Sequence, residues 1–315
     1  MLNQRTSELF MQLAADASSL QCVVSEIGGG SVLDAGIHTR GSLGAGINLA
    51  RLCMAGKAEI MIAPCDAAVL GSNNAVFVCT DEPVKACLAA QYAGWPVQTD
   101  HYFAMGSGPM RAARGREATL LELDLVESTD TVVGVLESDQ LPDAEVIAMI
   151  AEQCSVAANQ VRLAVAPSSS LAGSVQVVAR AIETAMHKLH ELKFDVTKIV
   201  SATGHAPLPP PAKPGDMVTG IGRTNDAILY GATVSLWVDC DDDAVEAIAA
   251  KVPSHTSGDH GKPFAETFKQ YNYDFYKVDP MLFSPAVVTI HNLQSGRSWN
   301  HGKIATAVLR QSFSS

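Results

Sequence analysis

The chain has 315 residues, 47% hydrophobic and 17% charged, with a net charge of −11 from 22 basic and 33 acidic residues. This composition excludes a disordered chain and argues against general nucleic-acid binding, which depends on basic surface. The length exceeds the usual span of one hydrophobic core, so two domains are expected.

Seven cysteines are widely spaced with no CxxC, the pattern of inert thiols in a reducing cytoplasm. No apolar run approaches ~18 residues, so no membrane-spanning helix is expected. Residues 1–20 read as an amphipathic helix rather than a signal peptide. Strand candidates follow at CVVSEIG and around VLDAGI. GSLGAGINLARLCMAG is a Gly-rich turn opening a helix, AEIMIAPC and AVFVCTD are strands, and PVKACLAAQYAG is a helix. Residues 95–116, rich in Gly and Pro, read as a loop, and ATLLELDLV as a strand.

TVVGVLES, PDAEVIAMIAEQC and VRLAVAP then give strand, helix and strand. In residues 170–194, Leu171, Val175, Val178, Ile182, Ala185, Met186, Leu189 and Leu192 fall on one stripe of a single helix, with Ser168, Ser169 or Ser170 as its cap. Away from the stripe run Gln176, Arg180, Glu183 and His187. That spacing puts a guanidinium, a carboxylate and an imidazole on one face, and it is equally the spacing of a solvated helix pair. KIVSATG is a strand. HAPLPPPAKPGD holds five prolines, which exclude a helix or a central strand.

GIGRTNDAI reads as a loop, LYGATVSLWVDC as a strand, DDDAVEAIAAKV as a helix with acids at its start, and HGKIATAVL as strand-like. The alternation points to an α/β fold with mixed sheets and helices. The expected domains are 1–98 together with 218–315, and 99–217, with the two ends of the chain packed together around the middle.

Nucleotide-loop and nucleophile-elbow motifs are absent. The His187/His190 and His255/His260 pairs lack partners at metal-ligand spacing, so no catalytic metal is expected. What remains is Gly-plus-polar segments. Gly106, Ser107, Gly108 and Arg111 wrap an anion or form an ordinary turn. Arg223, Thr224, Asn225 and Asp226 grip a heterocycle edge or satisfy a turn. Tyr276, Lys277 and Asp279 touch a ligand or form an ion pair beside a core aromatic.

Taken together, DAGI with GSLGAGI, YFAMGSGPMRA, APSSSLAGSVQVVARAIETAMHK, APLPPP, GRTNDAILYG, PSHTSGDHGKPFAE and DFYKVDPMLFSPA resemble the methenyltetrahydromethanopterin cyclohydrolase family, from about residue 34 to residue 287. The resemblance implies hydrolysis of a methenyl bridge on a reduced pterin, with Glu183 as the base for water and Arg180 orienting it. It implies substrate contacts at Ser42, Tyr102, Ser107, Gly108, Arg111, Gln176, Arg223, Asn225, Asp226 and Lys277, with Arg111, Arg223 and Lys277 as a local basic patch. It also implies a pterin cleft between two α/β domains, no cofactor beyond the pterin substrate, no metal, a homotrimer and a cytoplasmic role in the one-carbon metabolism of methanogens or methylotrophs. Gly44 stands where many family members carry Glu. Two other readings retain the fold: a noncatalytic pterin-carrier-binding protein, and a hydrolase of another cyclic amidine such as a folate analogue.

Overall fold

The computed structural model describes residues 1–274 and 277–314. In chain order the elements are α1 (Leu2–Ala15), β1 (Val23–Ile27), β2 (Gly30–Asp34), α2 (Leu43–Cys53), β3 (Glu59–Pro64), α3 (Ala67–Leu70) and β4 (Asn74–Thr80). A π-helical turn, Val84–Gln91, precedes β5 (Trp95–Gln98), β6 (Phe103–Ser107), α4 (Met110–Arg114), α5 (Ala118–Glu122), β7 (Val132–Glu137), α6 (Ala144–Gln153) and β8 (Val161–Val165). Then come α7 (Leu171–Val178), α8 (Ala181–Glu191), β9 (Ile199–Pro207), α9 (Met217–Gly231), β10 (Thr233–Val238) and α10 (Asp242–Glu246). The chain closes with α11 (Phe264–Gln270), β11 (Val287–Asn292), β12 (Ser298–Gly302) and α12 (Thr306–Ser314).

The fold is α/β, with two six-stranded mixed sheets in two compact units. One unit comprises 1–58 with 85–176, the other 59–84 with 177–315. This division differs from the expected one. Strands β1 and β2 enter the sheet of the middle segment because β2 runs parallel to β8, so residues 1–58 join the middle of the chain, while residues 59–84 join its end as expected.

In the first unit the strand order is β1-β2-β8-β7-β6-β5. Its centre, β2-β8-β7, is parallel, and Val132–Leu136 of β7 are buried throughout, the run expected of a strand covered on both faces. One face packs Val32, Val132, Leu136, Leu163 and Val165 on Val146, Ile147 and Ile150 of α6. The other packs Leu33, Val133, Val135 and Ala164 on Phe10 and Leu13 of α1 and Leu49 and Leu52 of α2. Asn3 is buried in the first turn of α1, yet its side chain donates to Pro109 O at 2.8 Å and accepts from Val133 N at 3.0 Å, so its burial is compensated.

The second unit orders its sheet β12-β11-β10-β9-β4-β3. Residues of β10 and β11 alternate between buried and half-buried, with α8 and α9 packed on the sheet.

Several segments depart from the sequence reading. Residues 95–116 hold a hairpin and a helix, not a loop. Pro96 is tolerated because β5 is the sheet's edge. ATLLELDLV turns helically at α5 and ends at Asp124 in a left-handed conformation (φ 53°), with only Leu120 buried within the helix.

GRTND lies inside α9. Asp216 caps that helix from Thr219 N, while Thr224 Oγ1 donates to Gly220 O and Asn225 Nδ2 to Ile221 O. Polar side chains that bond back to the preceding turn are thus absorbed by a helix. His205, Ala206 and Pro207 extend β9, with Pro207 at the strand's last position, where a missing N–H interrupts no interior ladder. The strand-like HGKIATAVL instead leaves β12 and enters α12, whose Leu309 and Phe313, four residues apart, are buried.

Gly173 of α7 is closely approached by backbone: an added Cβ would sit 1.9 Å from Pro167 O and 3.1 Å from Ser168 Cα. Gly173→Ala is expected to lower stability by about 1–3 kcal/mol or more, the cost of overpacking against backbone that cannot give. A fall in the thermal melting midpoint checks this.

Candidate active site

The helix expected across residues 170–194 is two helices. Ser170 opens α7: its Oγ donates to Pro167 O at 2.8 Å and accepts from Gly173 N at 3.0 Å. The α-helical pattern ends at Val178. Arg180 N then donates to Val177 O, a tighter three-residue step, and Arg180 becomes the N-cap residue of α8 at φ −87°, ψ 5°. Glu183 consequently falls in the first turn of α8, where unpaired amides and the helix dipole favour a carboxylate.

Neither charge is solvated. Arg180 is 7% exposed and Glu183 5% exposed, and Gln176 is buried as well. Burying a guanidinium and a carboxylate this fully is costly unless their surroundings are organised for it, so the plain surface ion pair is not what the fold builds. His187 is half-buried and lies 3.9 Å from Glu191.

In the first unit, Ser107 and Gln176 meet a residue the sequence reading passed over. The Cys53 thiol at the end of α2 lies 3.4 Å from Ser107 Oγ and donates to Gln176 Oε1 at 3.7 Å, while Ser107 Oγ donates to Val135 O at 3.2 Å. Three polar side chains from α2, β6 and α7 thus converge in a buried spot. Gly108 follows at φ 91°, its N–H donating to Ala90 O, and a Cβ there would press on Val133 O at 3.1 Å.

Ser42 is the N-cap of α2, its Oγ accepting from Ala45 N at 3.0 Å. Asp34, inside the DAGI motif but not singled out, accepts from the amides of Gly36, Ile37 and His38 at 2.7–2.9 Å and shapes the chain leading to that cap. Its signal was an Asp ending a strand before Gly, the pattern of a side chain that gathers turn amides.

Other expected contacts are placed differently. Tyr102 packs in the core with Val146 and Ile147, where burial raises its phenol well above the ordinary range. Arg111 is fully buried. Its Nε donates to Glu117 at 2.9 Å, Nη2 to the same carboxylate, and Nη1 to Leu88 O and Ala90 O at 3.2 Å, with the guanidinium over the Tyr92 ring. Arg223 donates to Ser312 O, Pro210 O and Pro211 O, tying the proline stretch and α12 to α9. Lys277 is exposed, 3.2 Å from Asp274. Tyr276 lies outside the described residues. The three cations expected to form one basic patch are therefore a core ion pair, a backbone tie and a surface charge.

Asp226 is fully buried between α9 and α11, where its Oδ1 accepts from Phe264 N at 2.8 Å. Burial pushes its carboxyl up to about 7, against the lowering influence of Ser312 and the Phe264 amide. Among the described residues no group of three His, Cys, Asp or Glu is placed to hold a metal ion. No described helix is long and apolar enough to cross a membrane.

The model of the family described as Cyclohydrolase (MCH) matches residues 1–313, which sets the chain in the cyclohydrolase class. It is 57% identical over 315 residues to the methenyltetrahydromethanopterin cyclohydrolase of Rhodopirellula baltica, covering 99% of this chain and 94% of that one. It is 42% identical over 321 residues to the protein of the same name from Methylobacillus flagellatus, covering 99% and 95%. The counterpart of Methanosarcina barkeri is 40% identical over 316 residues, covering 99% and 98%. The chain belongs to the methenyltetrahydromethanopterin cyclohydrolase family.

Two predictions separate stability from chemistry. Arg111→Ala strands the Glu117 carboxylate and two backbone carbonyls, so it is expected to cost about 3–5 kcal/mol, the usual price of breaking a buried pair. The loss should be visible in denaturant unfolding whether or not substrate is bound.

For Asp226 the folded state holds the proton more tightly than the unfolded chain does. Its contribution to stability is therefore greatest at acid pH, and it declines as pH rises from the ordinary carboxylate range through about 7. Asp226→Asn should flatten that decline, so that variant and parent differ more in the variant's favour at pH 8 than at pH 5 in denaturant titrations.

Proposed function

We propose that this protein hydrolyses the methenyl bridge of 5,10-methenyl-tetrahydromethanopterin to the formyl compound, with Glu183 as base and Arg180 beside it. The observation that carries the reading is the helix break between α7 and α8. It sets a guanidinium at the N-cap of α8 and a carboxylate in its first turn, both sheltered from water. The names of the relatives, which cover nearly their whole length, support the substrate.

The bridge carbon of such a substrate sits in an amidinium-like cation and is already electrophilic, so the protein must aim and deprotonate one water. The water oxygen bonds to the bridge carbon as one proton passes to Glu183. The resulting carbinolamine opens: one carbon–nitrogen bond breaks, Glu183 returns its proton to the departing nitrogen, and the hydroxyl proton leaves to solvent. A formyl group remains, and one proton is released overall. Arg180 holds the carboxylate's orientation and favours the oxygen as charge develops on it. A base, rather than a resident cofactor, suffices for this chemistry.

Glu183→Gln is expected to keep the fold and much of the substrate affinity while lowering kcat by about 10²–10⁴. Loss of the methenyl absorbance, followed with both methenyl-tetrahydromethanopterin and methenyl-tetrahydrofolate, measures it. Near-normal turnover by the variant rejects Glu183 as the base. A preference for the folate compound rejects the substrate assignment. Binding without turnover by the parent protein favours a carrier-binding role.

A further inference from the structure

Lys188 lies on α8, five residues after Glu183, and is 1% exposed. Its ammonium donates to Met281 O at 2.6 Å, Thr256 Oγ1 at 2.8 Å and Pro253 O at 3.3 Å. Three N–H bonds meet three acceptors, and among the described residues no carboxylate lies within ion-pair distance of it. Burial lowers its pKa to about 8, with Asp279 opposing the shift from farther off.

A cation held only by dipoles is an expensive way to fill a slot that an apolar side chain of the same length would occupy without penalty. What it supplies is direction. Leu189 and Met186 fill the buried stripe of α8 and resist separation from the sheet, but apolar packing carries little information about position along the helix axis.

The acceptors come from two segments that are themselves cross-tied. Asp279 accepts from Met281 N at 2.9 Å and from Ser257 Oγ, and its own N–H donates to Asp259 Oδ2 at 3.0 Å. Tyr271 OH closes onto Asp259 at 3.0 Å. Three of the segments that carry the family resemblance, ETAMHK, PSHTSGDH and KVDPM, therefore meet at one ammonium.

We propose that Lys188 is a positioning residue for the hydrolysis: by fastening α8 to the cross-tied segments 253–259 and 279–281, it sets where Glu183 points from the first turn of the same helix. The inference rests on the reading of Glu183 as the base. Asp279 from the second segment and His260 from the first interact electrostatically with the ammonium, and His255 and Lys303 act on His260 in turn. His260 is held below the ordinary imidazole range, by burial first and then by His255, Lys303 and Lys188, so it is already neutral where Lys188 begins to lose its proton.

The test uses the full-length protein, measuring turnover of methenyl-tetrahydromethanopterin from about pH 6 to 10 and amide hydrogen exchange along α8. The parent is expected to lose kcat with an apparent pKa near 8. Lys188→Met should lower kcat roughly 10–100-fold with KM within about threefold, remove that alkaline limb and speed exchange of α8 amides, since small misplacements of a base are costly. Lys188→Arg keeps a charge that does not titrate in this range, so it should abolish the limb and recover most of the rate. Thr256→Val removes one acceptor of the charged form and should move the limb to lower pH.

Parent-like kcat and an unshifted limb in Lys188→Met overturn the proposal. If that variant does not fold, an unchanged limb in both Lys188→Arg and Thr256→Val overturns it. Faster α8 exchange with kcat unaltered overturns it too, leaving Lys188 a purely structural tie. A parent protein that turns over neither pterin refutes the hydrolase reading and takes the positioning role with it. In that case the exchange difference between parent and Lys188→Met shows that the clamp itself is real.

Discussion

The burial of three charged side chains on one short stretch, Arg180, Glu183 and Lys188, is the constraint on which the rest of the second unit depends. Each would be solvated at little cost on an open helix. Removed from water, each requires fixed dipoles or partners, and those must be delivered by segments distant in sequence. For Lys188 the delivery is visible: Pro253, Thr256 and Met281 are brought to it by turns that Asp279 and Asp259 hold. For Glu183 the break at Ala179–Arg180 contributes directly, because it creates a helix N-terminus where an unbroken helix would have none.

The first unit shows the complementary constraint, close approach of backbone. Gly173 lies against Pro167 O, Gly46 of α2 against Val175 and Ala172, and Gly41, with φ 63°, against Ala35 O. Side chains at these points would push α2 away from α7 and open the chain between Asp34 and Ser42. Gly41 and Gly46 of GSLGAGI are thus explained by packing, and the Ser42 cap and the Asp34 turn supply hydrogen bonds that order the loop between them.

Buried polar residues here divide into three kinds. Arg111 and Asn3 are saturated by partners within their own unit and serve the fold. Asp226 joins α9 to α11 but keeps its carboxyl in surroundings that favour the proton, a local conflict that the packing around it tolerates. The Cys53–Ser107–Gln176 group differs again: the contacts made through its thiol are long and involve a weak sulfur donor.

The alternation of strands and helices, the apolar stripe from Leu171 to Leu192, and the family to which the motifs point were all legible in the sequence. They rest on local periodicity and on unusual strings of residues, and both survive without knowledge of what packs where. ATLLELDLV alternates like a strand, GRTND is polar like a loop and residues 95–116 are rich in breakers, yet the structure makes them helix, helix, and hairpin with helix. GRTND is held in a helix by the Asp216 cap and by the back-bonds of Thr224 and Asn225, and residues 95–116 pair as a hairpin that tolerates Pro96 because β5 lies at the sheet's edge.

The sequence by itself determined that Arg180 and Glu183 travel together on a helical segment. Only the tertiary structure decided that the helix breaks just before Arg180, that Arg180 and Glu183 are both buried, and that Arg111 and Asp226 belong to the interior. Burial and partner choice are properties of distant chain brought together, and no local spacing encodes them.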